Sequence, residues 1–143
     1  MIVLDTNVIS EAWKAAPDAS VVAWLDAQVI DTLYLSAVTV AELRLGVATM
    51  PAGKRQRIFQ ERLDGEVLPA FSDRVLPFDL EASRVYAEFM ARAKAAGRAI
   101  GRADGYIAAT AALRGFSVAT RDTSPFLAAG VPVIDPWQAG QNP

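Results

Sequence analysis

The chain opens with the apolar run Ile2-Val3-Leu4 and breaks it at once with Asp5, and the same device recurs to its far end. An apolar run this short, closed by an acid, reads as a buried strand delivering one carboxylate to the edge of a sheet. Glu42 interrupts the stretch Val38-Thr39-Val40-Ala41, Asp104 opens Gly105-Tyr106-Ile107-Ala108-Ala109, and Asp122 follows Val118-Ala119-Thr120-Arg121. Carboxylates are seldom buried unless paired with protons, cations or metal. Four of them at the margins of apolar elements therefore point to one shared site.

Between these acids, strand patterns alternate with helical ones. Strands are expected at 2–4, 33–35, 75–76 with Phe78 beside it, 116–119 and 131–134. A helix is expected from Thr6 to about Trp13, stopped by Pro17, and a second one is capped by Asp18 or Ser20 with Val21, Val22, Leu25 and Val29 at helical spacing. Ser36 caps a third, at about 37–49, with Val40, Leu43 and Val47 on one face. Pro51-Ala52-Gly53 opens a fourth, in which Ile58, Phe59, Leu63 and Val67 are spaced for burial. Asp79 caps a long helix ending at Gly97, Arg102 to Leu113 forms another ended by Gly115, and a short one lies near 125–129. This alternation predicts an α/β chain with a parallel sheet covered on both faces, an α/β/α sandwich. Sites in such sheets form beyond the carboxyl ends of the strands, where Asp5 and Asp122 fall. At 143 residues the chain is expected to be one domain, 1–143.

Composition narrows the chemistry. There is no cysteine and no histidine, which excludes disulfides, thiolate chemistry, cysteine-ligated zinc and an imidazole base. What remains is carboxylates, hydroxyls, amides and metal-bound water. Crowded carboxylates repel, so one would keep its proton at neutral pH unless a divalent cation compensates. Oxygen-only ligation favours magnesium or manganese over zinc or copper. Such an ion can activate water against a phosphodiester. Each aspartate also reads alone as a helix cap or turn residue, and Thr6, Asn7 and Thr120 as local capping groups, whereas Glu42 is unusual in interrupting an apolar helical run.

The net charge of −2 supplies no global attraction for nucleic acid, so any such contact is local. Two basic strips offer it: Lys54, Arg55, Arg57 and Arg62, and then Arg92, Lys94, Arg98 and Arg102. A hydrophobic share of 52% suggests apolar surface hidden in a partner or a second copy. With no charged leader and no membrane-length apolar run, the expected location is cytoplasmic.

The run Val3-Leu4-Asp5-Thr6-Asn7-Val8-Ile9 resembles the opening signature of PIN-domain nucleases, and Ala41-Glu42, Arg102-Ala103-Asp104 and Ala119-Thr120-Arg121-Asp122 follow in that family's order and approximate spacing. Val38 to Gly46 and the closing Asp135-Pro136-Trp137 resemble VapC-type toxins of type II toxin-antitoxin pairs, including the FitB-like branch. The resemblance implies a PIN-like sandwich and a magnesium- or manganese-dependent endoribonuclease toxin. It implies that Asp5, Glu42 and Asp104 hold metal, that Asp122 completes the site, and that Thr6, Asn7 and Thr120 support it. It also implies a homodimer and a cognate antitoxin whose tail occupies the active-site groove. RNA is expected on the rim near Arg98, Arg102 and Arg121. Where the family often has an acid before the next Phe, this chain has Pro125 before Phe126.

Other classes fit less well. A phosphoacceptor receiver needs adjacent acids after the first strand and a late lysine, but Thr6-Asn7 follows Asp5 and no lysine comes after Lys94. A catalytically idle binding module gives no reason to keep self-repelling acids. DNA cleavage by the same metal chemistry stays open at the level of sequence.

Overall fold

The computed structural model describes residues 1–139. Five short strands, β1 (Ile2–Leu4), β2 (Leu33–Ser36), β3 (Val75–Leu76), β4 (Ser117–Ala119) and β5 (Val133–Ile134), form one sheet in the order β3-β2-β1-β4-β5. Every pairing is parallel, with Ile2 opposite Leu33 and Ser117, and Leu4 opposite Ala119. The connecting helices are α1 (Thr6–Ala12), α2 (Ala19–Asp26), α3 (Ala37–Ala48), α4 (Lys54–Arg62), α5 (Leu68–Ala70), α6 (Leu80–Ala95), α7 (Arg102–Arg114) and α8 (Ser124–Ala128). The parallel α/β/α architecture is the one the alternating patterns predict. No described helix is long and apolar enough to cross a membrane.

Successive strand residues point to opposite faces of a sheet, and the core divides accordingly. Val3 and Val118 pack with Phe89 of α6, Ile107 of α7 and Phe126 of α8, while their neighbours Leu4 and Ala119 pack with Val8 of α1, Val21 of α2 and Leu43 of α3. Phe89, Phe126, Leu4, Leu35, Leu63 and Ile107 are under 2% exposed. Each contributes about 1.5–3 kcal/mol through burial.

The helix starts follow from local chemistry. Ser36 accepts from the Val38 amide at 3.0 Å, Asp18 from the Ser20 amide at 2.8 Å and Asp79 from the Ala82 amide at 3.0 Å. Gly115 ends α7 at φ 70°, a left-handed conformation that costs glycine least.

Four local expectations need correction. Helix α2 stops at Asp26 and a 3₁₀ turn, Ile30–Thr32, follows, which leaves Val29 65% exposed instead of on the helical stripe. Ile58 is 44% exposed although Leu63 is buried. The two stand five positions apart, about 140° around a helix of 3.6 residues per turn, so they cannot share a face. A π-helical segment, Leu63–Val67, then re-aims the chain and brings Phe71 into the core. The last strand is shorter than expected and begins at Val133.

Phe126 of α8 is fully buried beneath the β4 side of the sheet. Phe126→Ala should lower stability by about 3–5 kcal/mol, measured by urea denaturation. A loss below 1 kcal/mol would contradict the packing.

Candidate active site

Asp5 stands one residue past β1, and its amide donates to the Ala119 carbonyl at 2.9 Å, extending the β1–β4 ladder by one bond. Its side chain then turns back as the N-cap of α1, accepting from the Thr6 amide at 2.8 Å. The other carboxylate oxygen accepts from the Thr120 hydroxyl at 2.8 Å and from the Asn7 side-chain amide at 3.4 Å. Asp5 is only 5% exposed and Thr120 is fully buried. The capping reading of Asp5 is thus met by one oxygen, while the other accepts from Thr120 and Asn7.

The remaining acids come from three other elements. Glu42 projects from the middle of α3 and its carboxylate accepts from the Thr6 hydroxyl at 2.7 Å. Asp104 is the third residue of α7 and half-buried. That helix begins at Gly101 without a side-chain cap, so the capping role that sequence allows for Asp104 is not exercised. Asp122 follows Thr120 by two residues, on the turn after β4, and its amide donates to the Thr120 hydroxyl at 3.1 Å. Asn7 fastens this turn to α1 by donating to Thr120 Oγ1 at 3.3 Å and accepting from the Arg121 amide at 3.3 Å.

The acids feel one another. Burial pushes the Asp5 carboxyl up, its bonds from Thr120 and Thr6 oppose the rise, and the charges of Glu42 and Asp122 add to it. Asp104 is pushed from an ordinary 3.8 to about 6, first by burial and then by Asp5, Asp122 and Glu42. Four carboxylates from α1, α3, α7 and the β4 turn therefore share one electrostatic environment at the carboxyl end of the sheet.

Of the three arginines expected on the rim, Arg98 lies between α6 and α7 and Arg102 is the first residue of α7. Arg121 is already engaged: its guanidinium lies over the Trp137 ring, 5.3 Å from the centroid. The same charge helps hold the carboxyl of Glu11 below its ordinary range, after the larger effect of Lys14. Glu11 escaped sequence reasoning. It is buried on α1, pairs with Lys14 at 2.6 Å and accepts from the Asp18 amide at 3.0 Å. The Asp135-Pro136-Trp137 motif was the available signal for this corner, since Asp135 turns the chain by accepting from the Trp137 amide at 2.9 Å.

Residues 2–131 match the PIN domain. The chain belongs to the PIN-domain family. Among the relatives of this PIN-domain protein, VapC ribonuclease Y4jK of Sinorhizobium fredii is 72% identical over 138 residues, covering 96% of this chain and 99% of its own. Toxin FitB of Neisseria gonorrhoeae is 53% identical over 137 residues, covering 96% and 99%. The crystal structure of FitAcB from Neisseria gonorrhoeae superposes with a TM-score of 0.93 at 52% identity, over 96% of this chain and 99% of that one. These likenesses place the PIN domain in the branch of VapC and FitB.

The donor set of this PIN domain suits a hard cation, because every candidate ligand is a carboxylate oxygen and their mutual repulsion is relieved only by positive charge. As the side chains stand, no three acids among the described residues gather closely enough to hold an ion. Like-charge repulsion and the bond that draws Glu42 to Thr6 both oppose such gathering.

A carboxyl whose folded value is raised favours the fold at low pH and loses that contribution as pH climbs through the folded value. For Asp104 the window runs from 3.8 to about 6. In chelator, Asp104→Asn should melt close to the wild type near pH 4 and above it from pH 6 upward, by differential scanning fluorimetry. A gap independent of pH would contradict the raised value.

Proposed function

We propose that this chain is the toxin of a toxin-antitoxin pair, an endoribonuclease that hydrolyses RNA phosphodiester bonds with magnesium or manganese. The observation that carries the reading is that Asp5, Glu42, Asp104 and Asp122 act on one another, their charges adding to the burial that pushes Asp104 up to about 6. A protein gains nothing for stability by assembling acids that repel; it gains a place for a cation. Relatives named VapC ribonuclease and Toxin FitB support the activity class.

Asp5, Glu42 and Asp104 would hold the ion, with Asp122 completing the set. The chemistry that a bound ion supplies is charge neutralisation, acidification of water and stabilisation of a leaving oxygen. Thr120 and the Thr6 amide fix the Asp5 carboxylate in one rotamer, and the Thr6 hydroxyl restrains Glu42. Asn7 ties the Asp122 turn to α1, so the last acid cannot swing away from the first. These supports lower the cost of ordering at the moment substrate arrives.

The antitoxin reading is supported by a cavity of about 660 Å³ that starts at Thr6 and Glu42 and continues between α1, α3 and α4 to Phe59. Trp13, Leu43, Val47 and Met50 make it apolar, with Lys14, Lys54 and Arg55 at its margin. A partner segment lying there would cover the Glu42 side of the acids. Exposed Leu45, Leu80 and Leu127 offer apolar surface for a second copy, in keeping with a homodimer.

Asp5→Asn and Asp104→Asn should each slow RNA cleavage at least about a thousandfold, or ~4 kcal/mol of barrier, with folding retained by circular dichroism. Full cleavage by both variants would refute the assignment. Manganese should raise the melting temperature of the wild type in proportion to log concentration, and much less that of Asp5→Asn; equal shifts would place the ion elsewhere. Expression should arrest growth in the wild type but not in Asp5→Asn. Arrest by both would separate toxicity from this chemistry.

A further inference from the structure

Arg92, Lys94, Arg98 and Arg102 fall within eleven residues that contain no acid, in a chain whose net charge is −2. All four are exposed, and none has an ion-pair partner among the described residues. By contrast, Arg84 on the same helix α6 is paired with both Glu81 and Glu88. Helix electrostatics explain only part of the strip. Arg92 and Lys94 sit in the last turn of α6, where the dipole favours cations, but Arg102 opens α7, where the dipole opposes one.

Geometry gathers the strip beside the acids. Gly97 takes φ 71°, and the Arg98 amide bonds back to the Ala93 carbonyl at 2.8 Å, which returns Arg98 to the flank of α6. There Lys94 and Arg98 border a cavity of about 410 Å³ with Met90, Ala93 and Ile100 among its walls. Ile100 directly precedes Gly101, where an added Cβ would stand 3.4 Å from Asp104 Oδ2. The cationic notch thus ends one residue short of Gly101, which stands beside Asp104. Elsewhere round the acids, the Arg121 guanidinium lies over Trp137, and Lys14, Lys54 and Arg55 border the apolar cavity on the Glu42 side that is assigned above to a partner segment.

We propose that residues 92–102 form a one-sided track for the substrate strand: Lys94 and Arg98 hold backbone phosphates of nucleotides flanking the cut, and the apolar walls of the notch receive a base. The inference rests on the ribonuclease reading and adds a direction to it. Phosphate contact combined with a surface against which bases stack is how single strands are held without sequence readout, and here that surface is aliphatic. Nucleotides on one side of the cut matter for binding, and those on the other matter little.

The test uses an RNA oligonucleotide whose cut site has been mapped with the wild type, and versions shortened by a few nucleotides from either end. For the wild type, KM should rise on shortening one end only. Lys94→Ala/Arg98→Ala should show a raised KM, an almost unchanged kcat and indifference to that same shortening, while Arg84→Ala behaves as wild type. In an Asp5→Asn background, fluorescence anisotropy across salt concentrations should give a slope smaller by about 1.4 for the double variant, at ~0.7 per phosphate contact. Equal end-sensitivity in wild type and double variant, or an unchanged salt slope, overturns the track and leaves the strip to an acidic protein segment. Absence of any RNA cleavage by the wild type overturns the ribonuclease reading and the track with it.

Discussion

The parallel register of β1 against β4 is the constraint on which the site depends. Leu4 lies opposite Ala119, so the next residue of each strand, Asp5 and Thr120, must emerge side by side, and the 2.8 Å bond between them follows. A slip of one residue would carry the apolar sets of both strands to the wrong faces, exchanging the partners of Val3 and Leu4. The hydrophobic core therefore specifies the position of the first acid. The geometry around Asp5 is inherited from packing, and the hydrogen bonds only refine it.

Around that fixed point the other acids are placed by helices of different rigidity. Asp104 rides on α7, which presses against α6 so closely that a Cβ on Gly105 would come within 2.9 Å of Tyr86 and 3.0 Å of Met90. A larger residue there would force the side chains of Tyr86 and Met90 to shift. Glu42 instead stands exposed on α3, restrained by one hydroxyl. Asp122 depends on a turn whose anchors are Asn7 and the Arg121–Trp137 stack. The set thus combines two acids placed by the core with two exposed ones held by hydrogen-bonded supports.

Much of this was legible in the chain itself. The strand-then-acid pattern at Asp5 depends on local residues alone, and so do the caps at Ser36, Asp18 and Asp79, because a side chain bonding an amide two or three positions on needs no tertiary information. Glu42, Asp104 and Asp122 were marked by the same interruption of apolar runs, and the family resemblance of their own segments grouped them with Asp5. What sequence could not supply were long-range matters. The Thr6 bond to Glu42 spans 36 positions, and the environment of Glu11 depends on Lys14, Asp18 and distant Arg121 together. The π-helical segment was hidden because an apolar stripe that drifts around a helix looks continuous when read as a list of residues. The guanidinium of Arg121, expected to face RNA, also lies over Trp137, a partner sixteen positions later that charge patterning cannot reveal.

The sheet has a further implication at its margins. Both outer strands, β3 and β5, are two residues long. Borders so brief expose few free amides and carbonyls, which gives another chain almost no template for adding a strand. Strand addition is accordingly a poor route for joining another chain, and the risk of runaway cross-strand stacking is low.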